Sequence, residues 1–468
     1  MPFGGVWWRW QAALAIAVAL ALRLFVAIHL MPTYVDDDGK LYFALADNLV
    51  KHGTYGLDLD GRLTAVDIRM PGYPLFLAMV RLVFGHAPLA LSLLQGLVAL
   101  LTCVAVAFLS AELSPQRFRP RVALAALWLA ALCPFVAGYS VQVLTEVWAV
   151  FLTALALVAL LVPGGLVDAP KHYDPRRALV SAAAAGLLVG FGTLVRPETP
   201  LLAVAALVVL ALRCRRRRDW PLWCRLAGVM SLGLLLPLSP WVARNAIVLH
   251  EFRILAPRSA ELPGEFQPYG FEAWTHTWLS TFRQVQTVSW KMESEAVDLR
   301  DLPAAAFDSA GERARIDALF KEHNRTRVIS PQMDGVFAEI ARERTRRNPL
   351  RTYLGVPLER AATLWFAERL EWLEGVRDPP WRFAFETLNG LVIAAAIAGA
   401  WVARRRPASL YLLTFIVVRT AFLTTAQTPE PRYVLECFPA LLALAAQLWT
   451  VGRAEAVENS EKGERVVV

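Results

Sequence analysis

Ten runs of roughly 16 to 23 mostly apolar residues recur along the chain, each near the length that crosses a ~30 Å hydrocarbon core as a helix. They lie at about 10–30, 88–110, 120–138, 141–162, 178–195, 198–213, 223–243, 383–403, 408–426 and 432–452. A chain built this way is expected to be an all-α polytopic membrane protein, a bundle of about 10 (10–12) transmembrane helices. Composition agrees, with 56% hydrophobic and only 19% charged residues, below the roughly 25% of soluble domains. The first run follows Arg9 and has no convincing small-x-small cleavage site, so it reads as an uncleaved first helix rather than a signal peptide.

The basic residues orient the spans, because Lys and Arg are retained in short cytoplasmic loops. With the N-terminus inside, four clusters land in the cytoplasm: Arg117, Arg119 and Arg121; Lys171, Arg176 and Arg177; Arg213 with Arg215 to Arg218; and Arg404 to Arg406. The net charge of +8 is thereby accounted for at the membrane, and nucleic acid is not an expected partner. The apolar stretch 71–84 is too short for a span and is expected to lie at the interface; counting it as a crossing would put the later basic clusters outside. The preceding 39–51, with Leu41, Leu45, Asn48 and Leu49 at helical spacing, reads as a second surface helix. These rules divide the chain into an N-terminal transmembrane module (1–244) with a first external loop (31–87), an external polar segment with surface helices, mostly helical (245–382), C-terminal transmembrane helices (383–452) and a disordered cytoplasmic tail (453–468). Within the external segment, 353–373 is apolar but interrupted by Glu359, Arg360, Glu368, Arg369 and Glu371. It reads as a membrane-surface helix, with a helical pair crossing twice as the alternative.

Five cysteines (Cys103, Cys133, Cys214, Cys224 and Cys437) and seven scattered histidines offer no disulfide framework and no metal-binding spacing. No cofactor is expected to be required; a divalent cation shared by Asp38 and Glu146 is the one metal reading left open. What remains is a set of polar groups that the topology returns to one face of the membrane: Asp38, Arg69, Glu146, Arg196, Glu198, Arg244, Asn245, Arg432 and Tyr433. Asp36 and Asp37 suit a solvated acidic turn. Asp38 precedes the surface helix, where a carboxylate favours the helix N-terminus, and Tyr42 follows one turn later. Tyr73 suits an interfacial anchor. Glu146 lies inside its span, and an intramembrane acid defaults to a functional reading. Each arginine alone could be a snorkelling or capping residue. Several beside two acids suit an anionic headgroup, because guanidinium stays charged and donates in a fork.

The motifs that carry these residues resemble one family. D-G-x-x-Y-x-x-x-A-x-N-L (Asp38 to Leu49) and R-x-P-G-Y-P-L-F-L-A (Arg69 to Ala78) are followed by L-T-E (Leu144 to Glu146) and G-x-x-x-L-V-R-P (Gly190 to Pro197). P-W-V-A-R-N (Pro240 to Asn245) and R-Y-V-L-E-C-F-P (Arg432 to Pro439) come last. The ordered set is similar to the GT-C membrane glycosyltransferases, and within them to family 39-like enzymes, which include protein mannosyltransferases and the lipid A aminoarabinose transferase. The resemblance implies a GT-C-like bundle with surface helices after the first span. It implies a donor sugar on a polyprenyl phosphate, an acceptor lipid, glycan or protein, and a site on the periplasmic or extracellular face of a bacterial-type inner membrane. It assigns catalysis to Asp38, with Glu146 as second acid, and the donor phosphate to Arg196, Arg244 or Arg432; Asp37, Tyr42, Arg69, Tyr73, Glu198, Asn245 and Tyr433 complete the expected substrate-binding set. Where the family often has two adjacent acids, this chain has Gly39 in second place. The competing expectations are a transporter or flippase of a lipid-linked sugar, which would bury its charges near mid-bilayer, and an O-antigen-type polymerase or ligase.

Overall fold

The computed structural model describes residues 6–30, 35–162, 164–257, 261–262, 265–370 and 379–451. The tail 453–468, residues 31–34 of the first loop and Glu371 lie outside them. The chain forms two compact units, one of residues 1–262, 370–418 and 435–468, the other of 263–369 and 419–434.

The first unit is built from helices because a hydrocarbon core leaves backbone polar groups no partner outside their own segment. In chain order these are α1 (Val6–His29), α2 (Asp37–His52), α3 (Gly72–Phe84), α4 (Pro88–Glu112), α5 (Arg119–Ala131), α6 (Pro134–Gly138), α7 (Glu146–Leu160), α8 (Pro175–Val195), α9 (Leu201–Arg217) and α10 (Trp220–Arg244). Further apolar helices follow at Pro379–Val402, Pro407–Leu423 and Phe438–Ala445. Among the described residues six helices are long and apolar enough to cross a membrane: Trp7–His29, Pro88–Glu112, Pro175–Val195, Trp220–Leu249, Pro380–Val402 and Pro431–Thr450. A seventh is the pair Gln116–Ala131 and Pro134–Val141, bent by 48°. Helices α7, α9 and Pro407–Leu423 are shorter and account for the remaining three of the ten expected runs.

The bend has a cause. Pro134 cannot donate a backbone N–H, so α5 stops before it and leaves carbonyls without helical partners. Arg23, buried on α1, donates through Nη1 to the Ala131 carbonyl at 2.9 Å and through Nη2 to that of Ala130 at 3.3 Å. A break at membrane depth is tolerated where a neighbouring helix supplies the missing bonds. Helices α8 and α10 meet through small residues. A Cβ on Gly186 would strike the Met230 carbonyl, and one on Gly233 would lie 2.8 Å from the Ala183 carbonyl. Small residues let membrane helices approach closely enough for dispersion contacts to hold them.

Between α1 and α4 the chain folds on the surface of this bundle. Asp36, not Asp38, caps α2: its carboxylate accepts from the Gly39 N–H at 2.7 Å, and the helix starts at Asp37. Left-handed Gly53 (φ 63°) ends it. A hairpin then pairs β1 (Gly56–Leu59) with β2 (Arg62–Ala65), the only sheet among the described residues of this otherwise helical chain. Its turn residues Asp60 and Gly61 both have positive φ, as a tight two-residue hairpin turn requires. Gly72 starts α3 so close to the Leu194 carbonyl that a Cβ could not fit, which fixes α3 against the end of α8.

In the second unit, Tyr269–Thr275, Ala310–Thr326 and Pro331–Arg347 pack around buried Trp274, Phe320 and Phe337, with ring centroids 5.1–6.2 Å apart. Buried Arg344 pairs with Glu312 and donates to Thr277 Oγ1 at 2.7 Å. Asp308 receives Arg351 at 2.6 Å, Arg347 at 3.0 Å and Arg344 at 3.2 Å. Burial pushes the Asp308 carboxyl up, but these guanidinium groups outweigh it and hold it below the ordinary value. The expected surface helix near 353–373 is Val356–Phe366, preceded by a π turn, Arg351–Gly355. Eleven residues span roughly 16 Å, too little to cross, so no crossing pair occurs there among the described residues. Buried Arg360 anchors it by donating to the carbonyls of Leu279, Thr424 and Ala426 at 2.7–3.1 Å.

Candidate active site

The start of α2, the stretch before α3, the start of α7 and the end of α8 converge in the first unit. Asp38, in the first turn of α2, accepts from Arg69 Nη2 at 2.6 Å, with the side chains 32% and 28% exposed. Arg69 is itself held by its backbone, whose carbonyl accepts the Tyr55 hydroxyl at 2.9 Å.

A second cluster lies deeper. Arg196, the residue after α8, adopts extended backbone before Pro197, as a residue preceding proline does. Its guanidinium donates to Glu146 at 3.1 Å and to Glu198 at 2.8 Å, and lies 3.3 Å from Glu436. Side-chain exposure is 3% for Glu146 and Glu436 and 12% for Glu198. Thr153 on α7 donates to the other Glu436 oxygen at 3.5 Å. Glu436 was not singled out from sequence. Its signal was available, since it stands in the same last apolar run as Arg432 and meets the intramembrane-acid rule that marked Glu146.

Tyr42 links the two clusters. It is buried, its ring packs edge-on against Tyr73 at 5.1 Å, and its hydroxyl is within electrostatic reach of Arg69, Asp38, Glu146 and Arg196. Burial chiefly pushes this phenol up to about 12. Gly39 brings the first turn of α2 against Val143, just before α7.

Other expected site residues have partners of their own. Tyr73 is no interfacial anchor: it is fully buried and donates to Gln95 Oε1 at 2.9 Å, while Gln95 donates to the carbonyls of Ser140 and Gln142. Asp37 is 93% exposed and accepts from Lys40 at 2.9 Å. Arg244 donates to the carbonyls of Val66 and Tyr55 and to Asn245 Oδ1, and buried Asn245 donates to the Arg253 carbonyl. Both therefore secure the hairpin region. Arg432 and Tyr433 belong to the second unit, where Arg432 pairs with Glu430 and the Tyr433 carbonyl accepts from Arg419. Among the described residues no group of three or more His, Cys, Asp or Glu is arranged to hold a metal ion. Each candidate acid instead faces an arginine.

No protein-family model matches the sequence, and no curated protein matches it either. Solved structures do match. The oligosaccharyltransferase of Archaeoglobus fulgidus, tethered to an acceptor peptide containing an NVT sequon, aligns at TM-score 0.51 and 15% identity over 96% of this chain and 49% of its own. The same enzyme, AglB, with an inhibitory peptide and a dolichol-phosphate, gives 0.51 at 14% identity over 99% and 52%. ArnT from Cupriavidus metallidurans gives 0.42 at 16% identity over 94% and 77%, a level that carries no argument. This chain spans about half the length of the oligosaccharyltransferase. The likeness is one of fold, which this chain shares with the archaeal oligosaccharyltransferase.

Proposed function

We propose that this protein is an inverting glycosyltransferase that moves a sugar from a polyprenyl-phosphate donor to a hydroxyl of a lipid, glycan or protein acceptor. The reaction takes place on the membrane face opposite Arg215 to Arg218. One observation carries the reading: the Asp38–Arg69 pair, 2.6 Å apart and about one-third exposed, at the root of the elements that lie over a GT-C bundle. The oligosaccharyltransferase of the same fold is described with dolichol-phosphate and with an acceptor peptide, which favours a lipid-phosphate donor over a transported cargo.

The pair suggests an order of events. A guanidinium carries five donors in a rigid fork, and Arg69 spends one on Asp38. A donor phosphate entering the site competes for the rest and draws Arg69 away from the carboxylate. Asp38 then loses its counter-charge and becomes the stronger base. The acceptor oxygen attacks the anomeric carbon, its proton passes to Asp38, and the bond from that carbon to the phosphate oxygen breaks. The polyprenyl phosphate leaves with the bonding electrons, its charge stabilised by Arg69. Attack opposite the leaving phosphate inverts the anomeric configuration. Arg196 is surrounded by three carboxylates and Arg244 by carbonyls, so neither is the first choice for the phosphate; Glu146 and Tyr42 shape the floor. A neighbour of the same fold is described with Zn and sulfate, but the residues at this site form no set suited to an ion, and no step is routed through one.

The test incubates the purified protein with a panel of polyprenyl-phosphate sugars and measures release of the free lipid phosphate. The parent should turn over at least one donor. Asp38→Asn should bind it and react roughly 10²–10⁴-fold more slowly. Arg69→Ala should lose about 1.5–3 kcal/mol of donor binding. Movement of intact donor across a vesicle membrane without lipid-phosphate release would overturn the proposal in favour of a flippase.

A further inference from the structure

A cavity of about 940 Å³ opens on the first unit, lined by none of the residues of the carboxylate clusters. Its walls come from the first turns of α1, one face of α5, the middle of Pro379–Val402 and the final turn Ala446–Thr450, through residues such as Trp8, Trp128, Phe135, Val392 and Trp449. The volume lies near the top of the roughly 300–1,000 Å³ range of sites that hold a small molecule. One charged side chain lines it, Arg121. Its neighbour Arg119 is committed to Glu112 at 2.9 Å, whereas Arg121, half-buried, has no acid partner among the described residues.

Depth decides what fits. Arg121 is in the first turn of α5 and Leu132, also on the wall, follows its last residue. Eleven residues at 1.5 Å rise give roughly 17 Å, about half of a ~30 Å hydrocarbon core. The cavity therefore spans one leaflet, too short for the chain of a long polyprenol. Trp8 and Trp449 are tryptophans of the kind that settle at the membrane–water boundary, and they sit at the chain ends that Arg117 to Arg121 accompany. The charge rule assigns that end to the cytoplasm.

We propose that this cavity seats one anionic phospholipid of that leaflet, an acyl chain lying along α5 and the headgroup phosphate on Arg121. Such a seat would tie α1, α5 and the C-terminal helices together at the break beside Pro134. The proposal is independent of the reaction assigned above.

The test reconstitutes the full chain in nanodiscs of equal phosphatidylglycerol and phosphatidylcholine, extracts it into neutral detergent, and counts retained lipid by native mass spectrometry. The parent should keep one phosphatidylglycerol. Arg121→Gln should weaken that preference about fivefold, as expected for one basic residue at an anionic surface. Leu132→Trp, and separately Val392→Trp on a different helix, should empty the seat while melting near the parent. Both being cavity-wall changes on different helices, one that failed to fold would leave the other to decide. Equal retention of the two lipids by the parent, an unchanged preference in Arg121→Gln, or full retention in a folded Trp variant would each overturn the assignment. Displacement of the retained lipid by added polyprenyl phosphate would also overturn it, giving the seat to the sugar carrier.

Discussion

Replacing Arg196 with methionine should destabilise the first unit more than removing any one of the acids around it. The guanidinium serves Glu146, Glu198 and Glu436 at 2.8–3.3 Å, and none of the four side chains exceeds 12% exposure. Glu198 and Glu436 approach the same Nε, so their oxygens lie at most about 6 Å apart. Two like charges at that distance repel by about 3 kcal/mol at an effective dielectric of 20. Arg196→Met removes the cation that these three buried carboxylates share. Breaking a buried pair from one side costs about 3–5 kcal/mol. Glu436→Gln does the reverse: it keeps the shape and a hydrogen-bonding oxygen while removing one negative charge. Its cost should be below about 1 kcal/mol, and it is expected to stabilise if repulsion dominates. The assay is thermal melting in mild detergent followed by tryptophan fluorescence, with Arg196→Met, Glu436→Gln and the double variant side by side. The double variant should recover part of the loss. If Glu436→Gln melts as low as Arg196→Met, the carboxylates are not competing for one guanidinium, and the charge argument fails.

Two other perturbations test packing and titration. Gly186→Ala should force α8 from α10 and cost about 1–3 kcal/mol, whereas Gly228→Ala, whose Cβ meets open space on the same α10, should be neutral or slightly stabilising; equal melting of the two would show that the helices do not touch there. In the second unit, the lowered pKa of Asp308 means that its stabilising effect is complete above the unfolded value near 3.9 and is lost as pH falls through the folded one. Melting followed by a probe in that unit should therefore decline steeply below about pH 4 in the parent and less so in Asp308→Asn.

The transmembrane scaffold was legible because bilayer thickness fixes segment length, and all ten apolar runs correspond to helices. What sequence could not give was where long-range partners would fall. The run 120–138 was read straight through Pro134, and nothing local pointed to Arg23, more than a hundred residues earlier, as the group that would satisfy the freed carbonyls. Tyr73 looked like a boundary aromatic because nothing local reveals that its hydroxyl meets Gln95. Asp36 rather than Asp38 became the cap because three successive aspartates offer equivalent local chemistry, and only the backbone path selects among them. The site was legible to the extent that rarity marks it: Glu146 stood out as an acid in an apolar run. Glu436 met the same criterion and was passed over beside the more conspicuous Arg432 and Tyr433. The hairpin between α2 and α3 escaped notice because its strands are four residues each, too short for alternation to declare itself.

The two charge clusters differ in a way that bears on their roles. Asp38 and Arg69 pair at partial exposure, where water screens the ions and a competing anion can displace the carboxylate at modest cost. Arg196 is shared by three buried carboxylates, beside which an incoming phosphate would add further negative charge. In the proposed reaction a dianionic leaving group is therefore better served by Arg69, and the buried carboxylates are better suited to the other half of it, the cationic character that would build on the sugar ring as the bond to phosphate lengthens. Tyr42 stands between the two, within electrostatic reach of both, with its proton firmly held. On this proposal, transfer would be a matter of placing the phosphate on Arg69 and the ring over the buried carboxylates, with Asp38 released to accept the proton only after the donor has arrived. The order follows from the charges: a base that stays paired until its substrate binds does not spend its basicity on water.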